Sequence, residues 1–196
     1  GDQWWMAENL KATTYNDGTA IPNVTDATAW AALTTGAYCD YNNSTANGTK
    51  YGHLYNWYTL NTGKLAPAGW HVPTDAEWTT LQNYLIANGY NYDATTTDNK
   101  IAKALAAKTD WNTSTTTGAI GNDLTLNNST GFSALPGGGR DYTGSFGTLG
   151  YGGHWWSATE YSSTSAWNRD LSYTSAYLGS DYGSKKYGFS VRCVRD

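Results

Sequence analysis

Pro73-Thr74-Asp75-Ala76-Glu77-Trp78 is the stretch from which the fold is read. Thr74 followed three residues later by Glu77 spells a capping box. The hydroxyl accepts from a free backbone N–H of the first turn, and the carboxylate reaches back to the cap residue's own N–H. Trp78, Leu81 and Leu85 then recur at i, i+3 and i+7, one apolar face of a helix. The spacing predicts a helix to about Ala87, closed by Asn88-Gly89.

Upstream, residues 4–10 (Trp-Trp-Met-Ala-Glu-Asn-Leu) read as a first strand and its exit, and Tyr15-Asn16-Asp17-Gly18 reads as a turn. Asp26 is placed to cap a short helix over 27–34, with Trp30 and Leu33 on one side. Downstream, Asp98 is placed to cap a second helix carrying Ile101, Ala104 and Leu105. Helical periodicity ends near residue 111, where Gly118, Gly121, Gly131 and Gly137-Gly138-Gly139 cut the chain into short pieces. The triple glycine reads as a tight turn, since no phosphate-loop context follows it. Phe189-Ser190-Val191-Arg192-Cys193-Val194 is the best strand, with Phe189, Val191 and Cys193 sharing a face. The class is α+β, with helices first, a loop-rich sheet region second, and one domain over 1–196.

Composition narrows the function. Charged residues make up 14% of the 196, against about 25% in an average soluble domain. There are 10 Trp, 16 Tyr and 22 Gly, a mixture typical of β-rich extracellular domains. The net charge is −4 and no basic cluster exceeds Lys185-Lys186, so nucleic-acid binding lacks its electrostatic footprint. No apolar run is long enough to span a membrane. The chain opens at Gly1-Asp2-Gln3-Trp4 without a signal peptide, as expected of a mature or trimmed chain. Cys39 and Cys193 read either as a disulfide or as two buried thiols.

Several segments together carry a resemblance. They are Gln3-x-Trp5-Met6-Ala7-Glu8-Asn9-Leu10, Tyr51-Gly52-His53-Leu54-Tyr55-Asn56-Trp57, and Pro67 through Trp78. Later come Gly131-Phe132-Ser133-Ala134-Leu135-Pro136-Gly137-Gly138-Gly139-Arg140, Trp155-Trp156-Ser157-Ala158-Thr159-Glu160 and Tyr187 through Asp196. In this order the set resembles the Fibrobacter succinogenes major paralogous domain, a family of surface proteins of Bacteroidetes, Fibrobacteres and their phages. That family is similar to the formylglycine-generating-enzyme-like branch of the C-type lectin fold. The resemblance implies two main helices flanking a small antiparallel sheet that joins the termini, and a long loop-rich region presenting a ligand site. It also implies that the C-terminal stretch can be the variable region of a diversity-generating retroelement.

Catalysis is not expected. Formylglycine generators use a reactive cysteine pair and copper, and neither cysteine matches that arrangement. Glu77 is explained by its capping role. No Gly-x-Ser-x-Gly elbow is present. His154 reads either as a ligand-site residue or as a structural histidine. No cofactor is expected. A structural calcium ion is the exception, because Asp40, Asn42, Asn43, Asp123, Asn127, Asp141 and Asp181 supply oxygen ligands, though without EF-hand spacing.

The binding surface is expected within residues 160–187, which hold five Tyr among many Ser, Thr, Asn and Asp. Tyrosine gives large contact area at low entropy cost, and small polar residues adapt their hydrogen bonds. Alternation over Trp167–Tyr173 puts Trp167, Arg169, Leu171 and Tyr173 inward and Asn168, Asp170 and Ser172 outward. Tyr161, Ser163, Tyr177, Asp181 and Tyr182 extend that outward patch from flanking loops. The expected partner is a protein or glycan on a cell surface, met by an extracellular, surface or phage-borne domain. The alternative is a scaffold module in a surface protein or fibre. A polar, solvated sheet face with ordinary tyrosines is the bland reading of the same residues.

Overall fold

The computed structural model describes residues 1–196. Its helices are α1 (Ala27–Ala31), α2 (Thr45–Tyr51), α3 (Trp57–Leu60), α4 (Asp75–Ala87) and α5 (Ala102–Leu105). Its strands are β1 (Tyr38–Cys39), β2 (Leu54–Tyr55), β3 (Trp70–His71), β4 (Gly137–Arg140), β5 (Phe146–Leu149), β6 (Gly152–Glu160), β7 (Ser165–Ser172), β8 (Gly179–Ser184) and β9 (Val194–Arg195). The class is α+β.

The capping box forms at the start of α4. Thr74 Oγ1 accepts from Glu77 N at 3.3 Å, and Glu77 Oε2 accepts from Thr74 N at 2.8 Å. Trp78 and Leu85 are buried on the inner face of the helix. Asp26 caps α1 through Ala29 N at 2.7 Å, but the helix ends at Ala31 rather than at 34. The second main helix is not found. α5 is a single turn capped by Ile101, and Asp98 sits at φ 62°, a left-handed turn conformation outside any helix. α4 is therefore the one helix longer than seven residues.

The largest sheet runs β5-β4-β6-β7-β8. β6, β7 and β8 form an antiparallel meander, and β4 joins β6 in parallel through Gly138 and Gly153. Gly137-Gly138-Gly139 is thus a strand, not the tight turn its composition suggests. Gly138 has φ 64°, and a Cβ there would fall 2.5 Å from Gly147 O and 2.7 Å from the Tyr41 ring. Only glycine fits that conformation and that approach.

Neighbours Trp155 and Trp156 on β6 point to opposite faces, as the pleat requires. Trp155 joins Trp78, Leu105, Trp111, Ile120 and Leu171 in one core under α4. Trp156 joins Tyr55, Trp57, Ala166, Phe189 and Val191 in the other. The segment 189–194 is buried on both sides, so it is irregular rather than a half-exposed strand. Residues 4–10 make one bridge, Trp5 with Val194, plus backbone bonds from Met6 N to Cys193 O and Leu10 N to Val191 O. The two ends of the chain meet, but the expected first strand is an extended segment. No helix is long and apolar enough to cross a membrane.

Both cysteines are free and buried, in different cores. Burial pushes each thiol up to about 12, so neither forms the thiolate that reactive cysteines need.

His71 on β3 ties the C-terminus to α4. Its Nδ1 meets Asp196 Oδ1 at 2.6 Å and its Nε2 meets Glu77 Oε1 at 2.7 Å. Partial burial pulls its pKa down, but the hydrogen bonds to Asp196 and Glu77 outweigh it, and the net direction is upward. A raised folded-state value contributes stability that is present below the unfolded histidine value of about 6.5 and lost as pH rises through the folded value. The thermal midpoint is therefore expected to fall from about pH 6 to 8 more steeply in the wild type than in His71→Gln. Equal slopes in a pH series of melts would remove this assignment.

Candidate functional site

A cavity of about 420 Å³ opens between the β4–β5 hairpin and one face of the β6–β8 meander. Register fixes which side chains meet there. Asn168 is paired with Trp156 and Asp181, and Asp170 with His154 and Gly179. Directly opposite residues share a face, so Asn168, Asp170, His154 and Asp181 stand together on the Trp156 side of the sheet. Phe189 divides the cavity from the core. It packs on Trp156 at 4.6 Å and stacks on the His154 ring at 4.9 Å. Phe146 and Tyr187 complete the aromatic lining.

Two polar side chains in this cavity, Asn168 and Asp170, lack side-chain hydrogen-bond partners in the protein. Asn168 is only 4% exposed, and its side-chain amide makes no hydrogen bond within the protein. It lines the cavity. Buried amides are normally paired, so a free one that lines a cavity is a feature to explain. The Asp170 carboxylate also receives no donor, and it lies across Gly179, where a Cβ would fall 2.1 Å from Oδ1. Burial raises the Asp170 pKa, the Asp181 charge adds to this, and Arg169 opposes it. Burial drives His154 down to about 4, against the pull of Asp181, so its ring is neutral at pH 7. Its one side-chain hydrogen bond is with Thr148 Oγ1, 3.4 Å from Nε2.

Arg140 and Asp141 line the cavity but are committed elsewhere. The Arg140 guanidinium donates to Gly144 O, Val24 O and Thr25 O, between the rings of Trp30 and Phe146. Asp141 Oδ1 accepts from Thr143 and Ser145.

Two tyrosine pairs stand near the site, and because Tyr182 pairs with Trp167 the first lies on the opposite face of the sheet from Asn168. Tyr182 stacks face to face on Tyr161, 3.8 Å apart and 9° from parallel, with Trp167 edge-on to both. Tyr187 packs on Tyr142 at 5.9 Å. Tyr161 and Tyr182 are each 48% exposed.

The expected patch is thus partly reassembled. Asn168, Asp170 and Asp181 line the cavity, whereas Tyr161 and Tyr182 stack on the opposite face of the sheet, beside Trp167. Ser163 lies in the exposed β6–β7 turn, Ser172 at the far end of β7, and Tyr177 in the β7–β8 connection. None of these three lines the cavity. Asn168 and Asp170 do not face open solvent as the alternation implied, because the β4–β5 hairpin and Phe189 cover them. Trp167 is only partly covered, since it stands beside the exposed tyrosine pair. His154 is brought into the site, as one of its two sequence readings required. Phe146, Thr148 and Phe189 escaped sequence reasoning, because each lies on an element outside the Tyr-rich window.

The calcium candidates are dispersed. No group of three or more His, Cys, Asp or Glu is placed to hold a metal ion. Asp40 binds His53 Nδ1 at 2.6 Å, and Asp123 accepts from Thr125. Asn127 Oδ1 accepts from the buried Lys103 ammonium at 3.0 Å, together with the carbonyls of Ile120, Asn122 and Asp123. Lys103 thereby fills an all-oxygen cage with its own cation. Lys103→Met strands those acceptors and is expected to cost about 2–3 kcal/mol in urea unfolding. A loss under about 0.5 kcal/mol would show that the cage carries no weight.

Three cavities are larger, of about 560, 520 and 460 Å³, and the first two include Lys103 and Arg192 respectively. Both cations are already held by protein oxygens, Arg192 by Asn9 Oδ1 and Phe132 O. The β4–β8 cavity differs in the free polar groups that converge in it.

A family model described as the Fibrobacter succinogenes major domain matches residues 1–195. No curated protein and no solved structure matches the chain.

Proposed function

Because the chain belongs to the Fibrobacter succinogenes major domain family, we propose that it is a non-catalytic recognition domain that binds a protein or glycan ligand at the β4–β8 cavity and its tyrosine rim. The observation that carries this reading is Asn168, a buried amide without a protein partner that lines a cavity. Ligand pockets combine apolar walls with a few convergent polar groups, and this one joins Phe146, Tyr187 and Phe189 to Asn168, Asp170 and His154. The cavity brings no activated nucleophile: both thiols are buried elsewhere, and the neutral His154 hydrogen-bonds only to a threonine.

A C-type lectin-like fold belongs to the same proposal. The meeting of Trp5 with Val194 and the irregular stretch between α5 and β4 support it. So does placement on a cell surface or phage particle, given the low charge and the Tyr-rich rim. A diversified C-terminal region fits the Tyr, Ser, Asn and Asp content of β7 and β8. A reverse transcriptase gene and a near-copy of the 3′ end in the neighbouring DNA would establish it.

The test is a panel of displayed peptides and glycans probed with wild type, Tyr142→Ala/Tyr187→Ala, and Tyr177→Ala. The double variant is expected to lose the ligand and Tyr177→Ala to keep it. Retention by the double variant would count against the site. A second reading, an assembly module, is favoured by Trp4, which is 70% exposed beside Tyr84 on a shallow apolar groove. Light scattering would detect the self-association that it requires.

A further inference from the structure

We propose that the group entering the β4–β8 cavity is a cation, the ammonium or guanidinium end of a lysine or arginine side chain on a partner protein, held by Asp170 and Asp181 with Asn168 beneath. The proposal rests on the reading of this cavity as a recognition site.

Charge is the first argument. Asp170 and Asp181 stand diagonally on adjacent strands of one face, two residues out of register, because Asp170 pairs with Gly179 and Asp181 with Asn168. Neither carboxylate makes a salt bridge within the protein. Arg169, adjacent in sequence to Asp170, points to the other face and binds Asp75. Lys185 is held by Glu160, and Lys186 donates to Ala31 O. Two like charges in a partly desolvated site repel each other. A neutral ligand would remove more water and leave that repulsion in place, whereas a cation relieves both.

Shape and chemistry agree. Tyr187, Phe189 and Phe146 line the cavity, and aromatic rings attract a cation held among them. His154 is neutral and so does not compete for the carboxylates. The Asn168 amide can accept one further N–H from the guest. Gly179 leaves room for the Asp170 carboxylate to lie flat against β8, since a Cβ would collide with it.

The pH dependence has a definite sign. The groups facing Asp170 are His154 on β6, Asp181 on β8, and Arg140, Asp141 and Tyr187 across the cavity. Binding is present above the raised pKa of Asp170 and is lost as pH falls through it. Protonation of His154 at about 4 then adds a like charge. Loss of binding should begin at higher pH than an ordinary aspartate would give.

The experiment is an NMR titration of the isotope-labelled whole chain with n-butylammonium, n-butylguanidinium, glucosamine, N-acetylglucosamine and n-butanol. The two butyl cations are expected to shift the amides of Asn168, Asp170 and Asp181 and the ring of His154. The neutral probes are expected to leave them in place. Asp170→Asn and Asp181→Asn are each expected to weaken cation binding about tenfold or more. Neither carboxylate is bonded to another side chain, so unchanged melting curves check that the variants remain folded. Cation binding that survives Asp170→Asn undiminished would overturn the proposal. Shifts from glucosamine but not from the butyl cations would replace the protein partner with an amino sugar. Shifts from N-acetylglucosamine alone would remove the cation and keep the recognition site. No shift from any probe would overturn the cation, and failure of the display panel as well would take the recognition site with it.

Discussion

Asn9→Leu is expected to destabilise the fold by about 3–5 kcal/mol, the largest single effect anticipated in this protein. Asn9 is buried and fully engaged. Its Oδ1 accepts from Arg192 Nη2 at 2.8 Å, Arg192 Nε at 3.2 Å and Trp155 Nε1 at 2.8 Å. Its Nδ2 donates to Tyr51 O at 2.7 Å and to Ser190 Oγ at 3.2 Å. Arg192 is 1% exposed and has no carboxylate partner; its remaining contacts are Phe132 O and the Phe132 ring. Burial lowers its pKa to about 9, with the Glu8 charge opposing. Leucine fills the volume but strands a buried cation and an indole N–H together. Asn9→Asp restores a charge opposite Arg192 yet loses both Nδ2 donations, so it should recover only part of the loss. Urea midpoints at constant m measure this. A shift worth under about 1 kcal/mol would show that the guanidinium finds other partners.

Asn168→Leu is expected to do the opposite to stability and to abolish function. Nothing in the protein depends on the Asn168 amide, so replacing it with an apolar group of similar size should leave stability unchanged or raise it by up to about 1 kcal/mol. Ligand binding should fall about tenfold or more, because the guest loses its buried polar contact. Polar groups kept without partners in a stable fold are characteristic of sites that trade stability for binding. The two measurements separate the alternatives. A destabilised variant would mean that Asn168 is structural, and a stable variant with intact binding would move the site elsewhere.

These two asparagines also show how far the chain could be read. The Thr74–Glu77 box and the Asp26 cap were legible because each is satisfied within three residues of backbone. The alternation in β7 correctly put Asn168 and Asp170 on one face, opposite Arg169 and Leu171. It could not show that this face is roofed, since the roof comes from β5 and from Phe189. The triple glycine looked like a turn because glycine permits one. It became a strand because Tyr41 and Gly147 press against Gly138. Asp98 looked like a cap because its type suits capping, yet the chain there turns left-handed and the helix starts later. Ser163, Ser172 and Tyr177 were grouped with the site by nearness in sequence, and the sheet distributed them along its length.

By itself the sequence determined the α+β class, the family and such near-neighbour interactions as the Thr74–Glu77 box and the Asp26 cap, because caps and pleat alternation need only local geometry. The tertiary structure alone decided which buried polar groups are paired and which are left for a ligand. Asn9 is satisfied by Trp155 and Arg192, 146 and 183 residues away along the chain. Asn168 receives no such partner. Donors brought from that distance follow no pattern in the chain, and their presence or absence is what makes one asparagine part of the frame and the other part of the site.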